Sequence, residues 1–148
     1  MEESNFQFLQ QRWPLLANLG EGAERNLHHD PNITIVKLRQ YGEKMAQIIY
    51  AEEKLDGPEP KIQFDRLRIL QRKAGLPKES ISMFHSLRRE GNDAVHDVVG
   101  TVREAKDLLR MAFHLGVWFM QTYGDWEFEH KPYREPVPLP DPEEIQQE

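Results

Sequence analysis

The chain has 148 residues, 39% of them hydrophobic and 30% charged, which suits one domain with its own core and a well-solvated surface. It has no cysteine, which excludes disulfides, thiolate metal sites and a cysteine nucleophile; it also lacks a signal-peptide start and the roughly 20-residue apolar run of a membrane span, so a cytoplasmic protein with no membrane partner is expected. Its formal charge of −6 matches the excess of acids over bases in residues 125–148 alone, whereas residues 61–110 hold 11 bases against 7 acids, a mild basic region able to meet a phosphate.

Apolar residues recur at steps of three and four and almost nowhere alternate strictly, so the fold class is all-α. The pattern predicts an antiparallel helical bundle of about five helices over residues 1–124, followed by an extended, acidic, proline-rich tail or linker over 125–148. In the first segment Phe6, Leu9, Trp13, Leu16, Ala17, Leu19, Ala23 and Leu27 fall at helical spacing, and Pro14 opens a new helix or kinks one. The second helix is announced by Asp30 as N-cap and Pro31 at the first helical position, where no backbone N–H is needed. Its inward stripe is Ile35, Leu38, Tyr41, Met45 and Ile48 or Ile49.

"DGPEP", Asp56 to Pro60, is a loop, because two prolines and a glycine in five residues cannot continue a helix. "KIQFDRLRILQRKAG" predicts a short helix with Phe64, Leu67 and Leu70 inward and a basic last turn stopped at Gly75. Ile81, Phe84 and Leu87 mark the next buried stripe. Thr101 to Glu104, "TVRE", reads as a capping box opening the longest helix, which runs through Val102, Ala105, Leu108, Leu109, Ala112, Phe113, Leu115 and Phe119 to about Tyr123 and ends at Gly124. Beyond it, "EPVPLPDPEE" has four prolines in ten residues and is expected to be an extended linker or a strap lying on the surface.

One polar cluster stands out, in "LRREGNDAVHDVVG". Arg88, Asn92 and His96 are four residues apart and share a face if the helix is unbroken, although Gly91 followed by Asn92 and Asp93 predicts a kink or tight turn. A histidine near its ordinary pKa can move a proton at neutral pH, an arginine can stabilise charge growing on a phosphoryl group, and an asparagine can orient either. The set is therefore a candidate for metal-free RNA cleavage, for phosphate binding, or for a hydrogen-bonded corner between two helices, the role that residue types alone favour. His28 and His29 point about 100° apart on a helix and cannot chelate one metal together. His85 and His114 flank apolar stripes as packed or partly exposed residues. Trp13 and Trp118 belong to the core by spacing, and no phosphate loop, dinucleotide fingerprint or catalytic carboxylate pair is present. No metal or cofactor is expected in this domain.

Three segments together carry a resemblance: "SNFQFLQQRWPLLANLGEGAERNLHHDPNITIVKLRQYGEKMAQIIY", "LRREGNDAVHD" and "REAKDLLRMAFHLGVWFMQTYGD", followed by the proline-rich exit. In this order, over nearly all of residues 4–142, the chain resembles the helical domain of unknown function at the N-terminus of many type I restriction enzyme R subunits and related helicases. The resemblance implies a noncatalytic accessory module within an ATP-dependent type I restriction endonuclease, contacting other subunits or domains, or DNA or RNA, in defence against foreign DNA. The tail would connect it to a nuclease and a motor. That domain is in turn similar to the HEPN superfamily, which implies a HEPN-like bundle, a homodimer as a further candidate assembly, and metal-independent ribonuclease activity as the alternative function. The HEPN signature is an arginine, four to six residues, then a histidine at a helix start. Arg89 with six residues before His96 fits it, and Arg88 with seven falls just outside. Under that alternative His96 is the general acid/base and Arg89, helped by Arg88 and Asn92, holds the scissile phosphate. Glu90 departs from the pattern, standing where active members carry a polar Asn, Asp or His, and an acid there repels a phosphate.

Overall fold

The computed structural model describes residues 3–96 and 100–138. Asp97 to Val99, and the tail beyond Pro138 with Asp141, Glu143, Glu144 and Glu148, lie outside the described residues. Among the described residues there are five α-helices and no strand: α1 (Pro14–Asn26), α2 (Pro31–Glu52), α3 (Gln63–Lys73), α4 (Lys78–Val95) and α5 (Val102–Phe119). A 3-10 turn at Gln7–Leu9 precedes them, and α5 runs into a π-turn at Met120–Gly124. Among the described residues no helix is long and apolar enough to cross a membrane.

The helix starts follow local chemistry. Pro14 and Pro31 open α1 and α2, and the Asp30 side chain accepts from the Ile33 N–H at 3.3 Å. Thr101 Oγ1 accepts from the Glu104 N–H at 3.1 Å, so one leg of the expected capping box is formed. Gly75 stops α3 with φ of +65°, a left-handed conformation that favours glycine.

α2 is the central rod and packs on all four other helices. Its stripe of Ile35, Leu38, Tyr41, Met45 and Ile49 is fully or almost fully buried, and the opposing faces contribute Leu16, Ala23, Leu27, Leu67, Leu70, Phe84, Leu87, Leu109, Ala112 and Phe119. Two buried hydroxyls in this core find partners: Tyr41 Oη donates to Ala112 O at 2.8 Å and Thr34 Oγ1 to Ala23 O at 2.7 Å. Trp13 and Trp118, assigned to the core by spacing, are only partly buried, Trp13 against Phe119 with ring centroids 4.4 Å apart.

Two expectations change. α4 is continuous through Gly91, where a kink or turn was expected. A Cβ on Gly91 would come within 2.3 Å of Arg39 Cβ, so this glycine lets α2 and α4 touch and does not end a helix. Phe64, expected inward, is 43% exposed; the buried face of α3 is Gln63, Arg66, Leu67 and Leu70. The helix is rotated because Arg66 is held inside by three acceptors, Gln63 Oε1 at 2.6 Å, Pro60 O at 2.7 Å and the Glu59 carboxylate at 3.6 Å.

Residues 125–138 form neither helix nor strand, yet they lie on the bundle. Phe128 stacks on Phe8 and Tyr133 packs on Phe113, with centroids 5.0 Å and 5.2 Å apart. Asn5 closes the strap: its Nδ2 donates to Arg134 O at 2.6 Å, and its Oδ1 accepts from Arg134 N at 2.8 Å. The same amide group and the Asn5 N–H donate to the Glu24 carboxylate. Burial raises the Glu24 pKa against the lowering effect of these bonds.

Candidate functional site

Of the four residues singled out in the sequence, Arg88, Arg89 and Asn92 lie on the C-terminal half of α4 and His96 caps its end. Arg88 Nε donates to His85 Nδ1 at 3.3 Å, and the Arg88 guanidinium lies over the Phe64 ring, 5.2 Å from its centre. Asn92 Oδ1 accepts from Arg39 Nη1 at 3.1 Å, and Arg39 also pairs with Glu43 at 3.4 Å, so Asn92 belongs to the seam between α2 and α4. Arg89 is exposed. His96 is the exposed C-cap of α4, its N–H shared between Asn92 O and Asp93 O at 3.1 Å each.

α4 is continuous from Arg89 to Val95, so Arg89 and the C-cap His96 are about two helical turns apart, an axial rise of about 10 Å. Among the described residues no hydrogen bond joins His96 to either Arg88 or Arg89. Gly91, packed where an added Cβ would meet Arg39, lies inside the continuous helix and does not fold His96 back toward the arginines.

The imidazole that does meet an arginine is His85. With Phe64 and Arg68 of α3 it forms a cluster that the sequence reading did not assemble. The Arg68 guanidinium lies 5.9 Å from the Phe64 centroid and the His85 ring 5.7 Å from it. The signal was present in the spacing: Phe64 and Arg68 are four apart, and His85 and Arg88 three apart, both neighbours on a helix surface. It was masked because Phe64, three residues before Leu67, falls on the stripe expected to face inward. Neither Arg68 nor Arg88 has a carboxylate within ion-pair distance among the described residues.

Partial burial, and then the neighbouring Arg88 and Arg89 charges, hold the His85 pKa below its ordinary 6.5. The neutral ring can therefore accept from Arg88 at pH 7. Its folded pKa lies below its unfolded one, so the native state binds fewer protons as pH falls through about 6.5, and stability falls with it. Above that value the term vanishes. Melting temperatures of the natural chain and of His85→Gln should thus differ less favourably for the natural chain at pH 5 than at pH 7.5. An unchanged difference would mean that neither burial nor the two arginines lower the His85 pKa.

A concavity of about 380 Å³ lies between the N-terminal segment and the strap, floored by Phe8, Phe113 and Phe128 and edged by Lys131 and Arg134. Among the described residues no group of three His, Asp or Glu side chains could hold a metal ion.

In sequence, the chain is 35% identical over 139 residues to the type I restriction enzyme EcoKI endonuclease subunit of Escherichia coli (strain K12). The match takes in 94% of this chain and 11% of that protein. The chain is thus homologous to a stretch of a type I restriction enzyme endonuclease subunit and spans about a tenth of that relative's length. No family model and no solved structure matches it.

Proposed function

From that homology as premise, we propose that this chain is a noncatalytic accessory module of a type I restriction endonuclease subunit, making contacts with other subunits or with nucleic acid in defence against foreign DNA in the cytoplasm. The observation that carries the reading is the similarity along 94% of this chain, which leaves almost none of the bundle or strap unmatched. That no hydrogen bond joins His96 to Arg88 or Arg89 among the described residues supports contact over chemistry, since a general acid must reach the atom it protonates. A cationic surface on α3 and α4 supplies something for a partner to touch.

The decisive measurement is the encoded sequence beyond Glu148. It is expected to continue into a nuclease domain and a motor with a phosphate loop; a frame that continues into an unrelated domain would overturn the assignment. The alternative, a HEPN-like ribonuclease with His96 as general acid/base and Arg89 on the phosphate, needs a second copy to bring the groups together. Labelled RNA incubated with chelator is expected to stay intact. Cleavage that disappears in His96→Ala would replace the accessory reading with the enzymatic one.

A further inference from the structure

We propose that Phe64, Arg68 and Arg88 form a binding site for the phosphodiester backbone of DNA, with His85 as a positioning residue. The proposal rests on the nucleic-acid branch of the function above and names the surface that would serve it.

Phe64 is a large aromatic side chain left 43% exposed beside a core that buries Phe6, Phe84 and Phe119 completely. Its ring carries two guanidinium groups, from Arg68 at 5.9 Å and Arg88 at 5.2 Å. A cation held against an aromatic ring loses much of its rotamer freedom before any ligand arrives, so less entropy remains to be lost on binding. Arg88 is ordered further by its Nε bond to His85 Nδ1 at 3.3 Å, which leaves both terminal nitrogens without a protein acceptor among the described residues. Planar N–H groups in a fixed fork match the oxygens of a phosphate.

Charge supports the same ligand. Partial burial, and then the charge of Arg89, lower the Arg88 pKa; Arg68, Arg89, Arg72 and Lys73 are exposed, the last two in the final turn of α3. Neighbouring cations with no carboxylate within ion-pair distance among the described residues are stabilised when an anion arrives. A DNA strand presents one phosphate per about 3.4 Å of axis, so two guanidinium groups sharing one ring can engage neighbouring phosphates of one strand. Such contacts fix position without reading sequence, which suits an accessory module.

The test uses the 148-residue chain and a labelled 20-base-pair duplex, with anisotropy followed across a salt series. Binding that weakens with salt is expected, and Arg68→Gln/Arg88→Gln should weaken it by about tenfold and flatten the slope of log K against log salt by about 1.8, two phosphate contacts' worth. Phe64→Leu keeps both charges; it should weaken binding about threefold with the slope nearly unchanged, because only the ordering of the guanidinium groups is lost. Arg12→Gln/Arg25→Gln, removing equal charge near α1, should change neither quantity. Circular dichroism confirms that each variant keeps its helices. The site is overturned if the Arg68/Arg88 double variant binds and responds to salt like the natural chain, or if the natural chain shows no salt-dependent binding. It is also overturned if polyglutamate competes as well as DNA at equal charge, which would assign the patch to an acidic protein surface. None of these outcomes alters what is encoded beyond Glu148, so the family reading and the site fail separately.

Discussion

Phe113→Ala is expected to destabilise the chain by about 3–5 kcal/mol, the range for removing a fully packed phenylalanine. The ring is 2% exposed and meets three parts of the molecule at once. Phe6 and Phe8 of the N-terminal segment approach it edge-on at 6.4 Å and 6.0 Å, and His130 and Tyr133 of the strap lie at 5.4 Å and 5.2 Å. Alanine would leave a cavity where these segments converge on α5. In a domain of this size the loss corresponds to a melting temperature lower by roughly 10 °C. The strap should also become accessible, so chymotrypsin is expected to cut after Tyr133 well before the bundle is digested. A variant with natural melting behaviour and a protected Tyr133 would mean that the strap is not anchored there.

Gly91→Ala gives the second large effect, and its sign is diagnostic. In an ordinary helix interior alanine is favoured over glycine by up to about 1 kcal/mol. Here the added methyl meets Arg39 Cβ at 2.3 Å and the next two carbons of that side chain at 2.7 Å. The outer carbons can swing aside, but Cβ is fixed to the α2 backbone, so the two helices must separate. Overpacking of this kind costs about 1–3 kcal/mol, enough to outweigh the gain in propensity. Separation would also stretch the bond from Arg39 to Asn92. Denaturant titration should show a lower midpoint; a higher midpoint would return Gly91 to the role of a chain turn and reopen the meeting of His96 with the arginines.

Gly91 also shows why the candidate site was only partly legible. In sequence, glycine before Asn92 and Asp93 has the chemistry of a helix stop. Whether it stops a helix or admits a neighbour depends on what lies across from it, and Arg39 is 52 positions away along the chain. His85 was judged a packed or partly exposed flank, which is where it lies, but its partner Phe64 comes from another helix.

The sequence by itself determined the all-α class, the starts of α1, α2 and α5, the stops at Gly75 and Gly124, and the buried stripes of α2, α4 and α5. These follow from interactions within one or two helical turns, where residue type and spacing are sufficient. The tertiary structure alone decided that α3 turns Arg66 inward and Phe64 outward, that α4 runs unbroken past Arg39, and that the strap binds back through Arg134 on Asn5 and Tyr133 on Phe113. The course of α4 and the docking of the strap are set by contacts between residues distant in the chain, which leave no periodic trace in either segment, whereas Arg66 turns to Glu59, Pro60 and Gln63 nearby, whose loop geometry residue spacing does not give.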